Sequence, residues 1–185
     1  MSVERGNPVP LPKLLENRLS LPVIAAPMFL ISTPVTVVAQ CTAGIVGTFP
    51  ALNARTSDAL DDWLTEIETG LRQWEQAYGG HTAPYAVNLI LHGGNSRLLD
   101  DLAVCERHRV PIVITSMSAR QDVVERVHAW GGIVLHDVVN PRHARKAVAQ
   151  GADGLILVAA GAGGPAGTLN ESCQKTDQTV VANAS

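Results

Sequence analysis

The sequence predicts an α/β fold built on a parallel sheet. Two observations support this prediction. Short apolar runs rich in Val, Ile and Leu alternate with longer amphipathic segments along most of the 185-residue chain. The apolar runs also lack the strict polar–apolar alternation of a half-exposed sheet, as expected of strands that are buried on both faces. Such alternation is typical of βαβ units with right-handed crossovers and a sheet covered on both sides.

Six apolar runs are predicted to be strands, and the five segments among them to be helices. The predicted strands are residues 22–26, 44–48, 85–91, 111–115, 133–136 and 155–159. The longest predicted helix covers residues 56–78, where Leu60 and Leu64 begin an apolar stripe at helical spacing, and it ends at Gly79.

Capping residues mark two further helix starts. Ser118 and Gln121 have the spacing of a capping box, in which two side chains bond backbone N–H groups at the start of a helix. Asn140 followed by Pro141 predicts another start, and Gly151 suits the position just after the end of that helix.

Composition limits the classes of function. The chain is 46% hydrophobic and 17% charged, with a formal net charge of -3, which suits one globular domain with a sizeable core and excludes a mostly disordered chain. A near-balance of charge argues against nucleic acid or an anionic membrane surface as the main partner, because both require a concentrated basic patch.

The cysteines and the first residues bear on the compartment. Cys41, Cys105 and Cys173 are far apart and form neither a CxxC pair nor a His/Cys cluster at metal-ligand spacing, so no metal site and no disulfide framework is predicted. Reduced thiols are typical of a cytoplasmic protein. Residues 1–12 contain no apolar region of a secretory signal, in agreement with that expectation.

One uncharged stretch, residues 19–54, is long enough on paper for a transmembrane helix. Pro22, Pro27, Pro34 and Pro50 interrupt it, and each proline would remove a backbone hydrogen bond from a spanning helix. Two buried strands that flank a short helix avoid this cost, so the sequence predicts no membrane span here.

Ligands of parallel α/β proteins bind beyond the carboxyl ends of the strands. That rule selects Pro27-Met28, Asn88 with His92, residues 115–118, His136-Asp137 and the glycine run at residues 161–167.

Three of these candidates carry specific chemistry. Asn88 lies within a predicted buried strand, so its amide must bond either a ligand or a polar network, and we favour the ligand. His136 offers an imidazole and Asp137 a carboxylate, but adjacent strand residues point to opposite faces, so only one can face the site. Ser116 and Ser118 lie outside any GxSxG elbow, which gives a hydrolase nucleophile little support.

The glycine run, Gly-Ala-Gly-Gly-Pro-Ala-Gly at residues 161–167, directly follows a predicted strand. Glycines there allow a ligand to approach the backbone, and exposed N–H groups suit a phosphate or the edge of a flavin. The run contains a GxGxxA pattern, but no long helix follows and Pro165 interrupts it. From these residues alone, a structural turn and a ligand loop remain equal alternatives.

Taken together, five segments resemble the nitronate monooxygenase family, formerly called 2-nitropropane dioxygenases. They are Val-Ile-Ala-Ala-Pro-Met at 23–28, Tyr-Ala-Val-Asn-Leu at 85–89, His-Asp-Val at 136–138, Gly-Ala-Asp-Gly-Leu-Ile-Leu-Val at 151–158, and the glycine run. The likeness extends over residues 21–170. It implies an FMN-dependent α/β protein of the parallel (β/α) TIM-barrel type, with flavin-dependent enoyl reductases as relatives.

The resemblance also implies site residues. It sets the flavin ring of FMN against the backbone of Ala26, Pro27 and Met28, gives Asn88 a hydrogen bond to the flavin, and puts two glycines of the run, Gly163 and Gly164, close beneath it. The implied reaction is oxidation of a nitronate with dioxygen as the second substrate.

The chain departs from the family at Pro165, where the family has a histidine that acts as catalytic base or holds the nitronate. Proline has no titratable group, so the catalytic residue is unknown and removal of a proton from a neutral nitroalkane loses its base. A preformed nitronate needs no such step.

Length is the second departure. A (β/α)₈ barrel requires about 250 residues, and the pattern provides about six of the eight βα units. We therefore expect an incomplete FMN-binding barrel domain at residues 1–170, truncated at its C-terminal side, and a polar, disordered tail at residues 171–185. Its exposed sheet edges favour self-association.

Two other classes of function stay open. One is a catalytically inactive binding or interaction protein that uses the exposed sheet edges. The other is a nucleotide-binding domain of Rossmann type, which the glycine run alone supports.

Overall fold

The computed structural model describes residues 11–159 and 181–183. The described helices are α1 (Pro34–Thr42), α2 (Ser57–Tyr78), α3 (Leu98–Arg107), α4 (Gln121–Ala129) and α5 (Pro141–Ala149), with a 3-10 turn at Ala51–Asn53. The described strands are β1 (Gly47–Pro50), β2 (Tyr85–Ile90), β3 (Ile112–Ser116), β4 (Ile133–Val138), β5 (Gly154–Leu157) and β6 (Val181–Asn183).

The strands form one sheet in strict chain order, from β1 to β6. All pairs from β1 to β5 are parallel, and in the register Pro50 faces Asn88, which in turn faces Ile114. A sheet of sequential βα units has no point at which the strand order reverses, so the described sheet differs from a Rossmann domain. The predicted α/β fold of the parallel (β/α) TIM-barrel type is confirmed.

The helices all pack on one face of the sheet, which we call the outer face. Its core joins side chains from α1 to α4 with alternate strand residues, among them Val87, Val113 and Val134. Ala147 of α5 packs against Val138 on the same side. The fold is therefore the arrangement of a barrel wall with an external layer of helices.

The opposite face, which we call the inner face, is apolar toward the amino ends of the strands. Its core contains Val46, Ala86, Ile112 and Leu135, and Leu15 from the chain before α1 packs into the same cluster. This part of the barrel interior is filled with side chains, so a ligand site on the inner face must lie toward the carboxyl ends.

The first predicted strand, residues 22–26, differs from expectation. It forms a single parallel bridge between Ile24 and Val46, beside β1. Pro22 and Pro27 bound the segment and have no N–H group to donate, which limits further pairing. The segment nevertheless occupies the first position of the parallel sheet, which gives six parallel positions in all.

The predicted boundaries of α2 and the predicted start of α5 are confirmed. Thr56 accepts a hydrogen bond from the N–H of Ala59 at 3.1 Å, and Gly79 follows α2 in the left-handed conformation, with φ of +68°. Asn140 Oδ1 accepts from the N–H of His143 at 2.9 Å at the start of α5. Local side-chain chemistry determines both boundaries.

The capping box predicted at Ser118 and Gln121 is wrong. Helix α4 begins at Gln121, where the preceding residue, Arg120, makes no side-chain cap. Met117 has a φ of +79° and turns the chain after β3, which delays the helix. The N–H of Gln121 instead donates to Gln150 Oε1 at 3.1 Å, so tertiary contact replaces the local cap.

Strand β6 lies inside the range that the sequence predicts to be a disordered tail. Its three residues pair antiparallel with β5, with Val181 opposite Ile156 and Asn183 opposite Gly154. An edge strand presents unpaired backbone N–H and C=O groups, and a short extended segment satisfies them whatever its composition.

The described thiols are buried and unreactive in character. Cys41 and Cys105 are both free, and burial raises the pKa of Cys41 to about 11 and also raises the pKa of Cys105. Cys173 lies outside the described residues. Within residues 11–159 and 181–183 there is no cluster of side chains that could hold a metal ion, and no helix is long and apolar enough to cross a membrane.

Candidate functional site at the carboxyl edge of the sheet

A row of three polar side chains crosses the inner face at the carboxyl ends of β2, β3 and β4. We call Asn88, Ser116 and Asp137 the polar row. Asn88 Nδ2 donates to Ser116 Oγ at 2.7 Å, and Ser116 Oγ donates to Asp137 Oδ2 at 2.6 Å. Each residue comes from a different strand, so the sheet itself holds the row together.

Strand parity explains why these side chains share a face. Alternate residues of a strand point to the same side, so Asn88 follows Ala86 and Asp137 follows Leu135 into the inner face. Along each strand the inner face therefore changes from apolar at the amino end to polar at the carboxyl end. This is where a ligand of a parallel α/β barrel binds.

The hydrogen bonds of the row run in one direction. Asn88 Nδ2 also donates to the carbonyl oxygen of Ile114 at 3.2 Å, and a carbonyl only accepts, so the amide orientation is determined. The hydroxyl of Ser116 accepts a hydrogen bond from Asn88 and donates its single proton to Asp137. Asn88 is 5% exposed, and no described residue donates to its Oδ1 atom.

Burial has a clear electrostatic effect on Asp137. It raises the pKa of this carboxyl above its ordinary value because the charged form loses solvation, and the hydrogen bond from Ser116 only partly opposes that shift. No Lys, Arg or His of the described residues forms an ion pair with Asp137. A carboxylate of this kind holds a proton more readily than one on the surface.

His136 points to the outer face, so the imidazole that the sequence offers to the site is not in it. Its Nδ1 lies 2.7 Å from Thr115 Oγ1, and the residue is 3% exposed beneath α5. Burial, with His143 and Lys146 nearby, lowers the pKa of His136 to about 4. Of the adjacent pair, Asp137 is the one that faces the inner side.

The segment Ala26–Pro27–Met28 lies beyond the first position of the sheet, at the same carboxyl edge. Thr48 Oγ1 donates to the carbonyl oxygen of Ala25 at 2.6 Å and ties the segment to β1. The N–H of Met28 donates to Ser32 Oγ at 3.0 Å, so this backbone group is already paired within the loop. No hydrogen bond among the described residues joins the segment to the polar row.

Asn53 holds the loop after this segment. Its Nδ2 donates to the carbonyl oxygens of Met28 at 3.0 Å and Ser32 at 2.8 Å, and its Oδ1 accepts from the N–H of Leu30 at 3.1 Å. Leu30 has a φ of +63°, an unfavourable conformation for leucine that these bonds help to maintain. The loop is a fixed feature of the carboxyl edge.

A shallow groove lies at the same edge, near the ends of β2 and β3. It has a volume of about 420 Å³. Its lining includes Leu52, Ile90, His92, Arg97 and Met117. Met117 is exposed and in the left-handed conformation, so strained backbone and exposed apolar surface coincide beside the polar row.

The glycine run, with Gly163, Gly164 and Pro165, lies outside the described residues. Strand β5 leads toward it: the N–H of Val158 donates to the carbonyl oxygen of Val138 at 2.9 Å, at the carboxyl edge. The flavin contacts expected of these two glycines therefore stay a prediction, as does the contact expected of Ala26, Pro27 and Met28.

Sequence reasoning missed Asn53 and the role of Ser116. Asn53 carries no motif, and only the three-dimensional approach of its loop gives it a role. The sequence selects Ser116 only as one of the candidates at residues 115–118, and in the structure it links Asn88 to Asp137. Alternation along each strand places the three residues on one face, but the sequence does not show which apolar residues share that face until the sheet has formed.

Comparison with protein-family models and with curated proteins finds no match. Solved structures do match in fold. FabK from Thermotoga maritima gives a TM-score of 0.65 at 24% identity, over 78% of this chain and 42% of that chain. A nitroalkane oxidase from Streptomyces ansochromogenes gives a TM-score of 0.68 at 21% identity, over 80% of this chain and 49% of that chain.

A third match is the enoyl reductase domain of MlnA, from the macrolactin biosynthesis cluster of Bacillus amyloliquefaciens. The TM-score is 0.59 at 16% identity, over 76% of this chain and 34% of that chain. The chain thus spans less than half the length of each of these structures. Likenesses at such identity establish the fold that the sheet topology already indicates.

Proposed function

We propose that this chain carries the flavin-facing wall of an FMN-dependent oxidoreductase of the nitronate monooxygenase class. The observation that carries the proposal is the polar row on the inner face of a chain-ordered parallel sheet, at its carboxyl edge. The proposed substrates are a nitronate and dioxygen.

The row suits the edge of a flavin ring. Both N–H groups of Asn88 are used within the protein, so the amide presents a carbonyl oxygen to the barrel interior. A flavin ring carries one N–H donor, which such an acceptor can bond. When bound, a flavin supplies one-electron chemistry between a nitronate and dioxygen.

The remaining contacts follow from the resemblance and from the loop geometry. Ala26, Pro27 and Met28 would pack against the ring, and this contact would be apolar because the N–H of Met28 already donates to Ser32. Gly163 and Gly164 would allow the ring to approach the backbone from below.

The solved structures support the choice of chemistry. One similar structure is described as a nitroalkane oxidase and another as an enoyl reductase domain, and both names belong to oxidoreductases. The nitroalkane oxidase favours a nitro compound as the substrate of this chain. The family resemblance in the five segments favours the same class.

The proposal is tested with the purified chain. It is incubated with FMN, separated from free flavin by size exclusion, and supplied with ethyl nitronate while oxygen uptake is recorded. We expect flavin absorbance to co-elute with the protein, and oxygen uptake to exceed that of FMN alone. A folded chain that elutes colourless and consumes no oxygen contradicts the proposal.

The second candidate is an interaction protein without catalysis that associates with further copies of itself. The apolar residues of the loop that Asn53 holds favour this candidate, because Phe29, Leu30 and Ile31 are 64%, 74% and 61% exposed. The same elution profile distinguishes the candidates: a colourless oligomer supports the interaction protein, and a flavin-bearing monomer contradicts it.

A further inference from the structure

We infer that Asp137 is the base that removes the α-proton from a neutral nitroalkane, in place of the residue that Pro165 cannot supply. The inference rests on the proposed function and adds to it the residue that would act as base on a neutral nitroalkane. Three observations of the described residues support it.

The first observation is the position of the carboxylate. Asp137 lies on the inner face at the end of β4. Through Ser116 it is hydrogen-bonded to Asn88, the residue proposed to contact the flavin. A substrate bound against the ring would therefore lie within the same barrel interior as Asp137. Proximity of base and substrate is the first requirement of proton transfer.

The second observation is the orientation of the carboxylate. The bond to the Ile114 carbonyl identifies Nδ2 of Asn88 as the donor to Ser116. The hydroxyl of Ser116 therefore accepts from Asn88 and donates its proton to Asp137 Oδ2. No described residue donates to Oδ1. Ser116 thus holds the carboxylate in one rotamer with a second oxygen available to accept a proton.

The third observation is the lack of competing bases in the row. Asn88 and Ser116 do not titrate in the ordinary range, and His136 faces α5 on the outer side. His92 lies at the same edge, but it is exposed and its Nδ1 accepts from the N–H of Gly94 at 3.1 Å, so Asp137 is the titratable member of the polar row. Its raised pKa agrees with this role, because nitroalkanes are much weaker acids than ordinary carboxylic acids.

The step balances without an oxidant. The Asp137 carboxylate takes the α-proton, the electron pair of the broken C–H bond forms the C=N bond of the nitronate, and one oxygen of the nitro group takes the negative charge. The carboxylate becomes a neutral acid. The buried site holds one negative charge before and after the transfer, so no additional charge has to be buried.

The test measures this proton transfer apart from oxidation. Neutral nitroethane in D₂O loses its α-hydrogen signal in proton NMR as exchange proceeds, and this exchange needs neither flavin nor dioxygen. We expect the chain, without flavin, to accelerate the exchange above buffer alone, and Asp137→Asn to lower the protein-dependent rate by about 100-fold.

The matched control is Asp122→Asn, which removes an exposed carboxylate of α4 that pairs with Arg120. It should exchange nitroethane at the rate of the unchanged chain. Asn at position 137 retains an oxygen that can accept from Ser116, and thermal unfolding followed by circular dichroism verifies that each variant is folded. An unchanged rate in Asp137→Asn, or no exchange above buffer by the parent chain, overturns the inference.

Oxidation of preformed ethyl nitronate distinguishes this inference from the proposed function. If the FMN-treated parent chain oxidises the nitronate but exchange does not depend on Asp137, only the role of Asp137 is wrong. If exchange depends on Asp137 and no nitronate is oxidised, the proposed function fails and the proton transfer stands.

Discussion

At the scale of the residue, neighbouring side chains of β4 have opposite chemical environments. Asp137 faces the inner side and accepts a hydrogen bond from the hydroxyl of Ser116. His136 is buried on the outer side beneath α5, with Thr115 as its hydrogen-bond partner. The pKa of the carboxyl is raised and the pKa of the imidazole is lowered, and burial is the main cause in both cases. In both groups burial shifts the balance toward the neutral form relative to a side chain in water.

The buried imidazole predicts acid sensitivity. The pKa of His136 is about 4 in the folded chain and 6.5 in the unfolded chain, so its contribution to stability is complete above pH 6.5 and is lost as the pH falls toward 4. The full loss is about 3 kcal/mol in the free energy of unfolding. We expect His136→Leu to reduce the acid-dependent loss by about this amount in urea titrations at pH 7 and pH 4.

His81→Gln is the control for that prediction, because His81 is exposed. It should retain the pH dependence of the parent chain. If His136→Leu and the parent chain lose the same stability between pH 7 and pH 4, the imidazole is not held neutral by burial.

At the scale of the element, the loop after the first sheet position depends on one distant side chain. Asn53, from the 3-10 turn after β1, makes three hydrogen bonds to the loop backbone. The loop carries exposed apolar residues that cannot hold it by burial. Its conformation is therefore a property of the turn as much as of the loop itself.

Asn53→Ala should release the loop. Loss of these bonds is expected to lower the free energy of unfolding by about 1–3 kcal/mol. Amide hydrogen exchange in the peptide that contains Leu30 should become faster, because the N–H of Leu30 loses its acceptor. Mass spectrometry of exchanged peptides measures this effect.

The control for the loop is Gln73→Ala, which truncates an exposed amide side chain of α2. It should leave exchange of the Leu30 peptide unchanged. Equal exchange rates in Asn53→Ala and the parent chain would mean that the loop is held by other contacts.

The elements show how far the sequence determines this structure. The apolar stripe of Leu60 and Leu64 and the glycine after it predict α2 correctly, because helix spacing and capping are local properties. The capping box at Ser118 fails because the backbone turn at Met117 has no sequence signal. The sequence also leaves the choice between His136 and Asp137 open. Alternation along a strand shows that they face opposite sides, but only the folded sheet shows which side is the inner one.

At the scale of the whole molecule, the inner face of the sheet has an apolar half and a polar half. Leu15 and the amino ends of the strands fill the inner face with apolar side chains, while the carboxyl ends carry the polar row. A closed barrel shields both, and the described part of the sheet ends at an edge where only three residues of β6 pair with β5. The described helices thus pack behind the polar row on the outer face, and the apolar cluster at the amino ends of the strands adjoins it on the inner face.

The most direct test of the account is a titration of FMN fluorescence with the purified chain and with Asn88→Ala. Gln76→Ala, an exposed amide substitution on α2, serves as the control. We expect the parent chain and the control to quench the fluorescence with equal affinity. Asn88→Ala should bind about tenfold more weakly, as expected for the loss of one buried hydrogen bond. Unchanged fluorescence with the folded parent chain, or equal affinity for Asn88→Ala, would contradict a flavin site at the polar row.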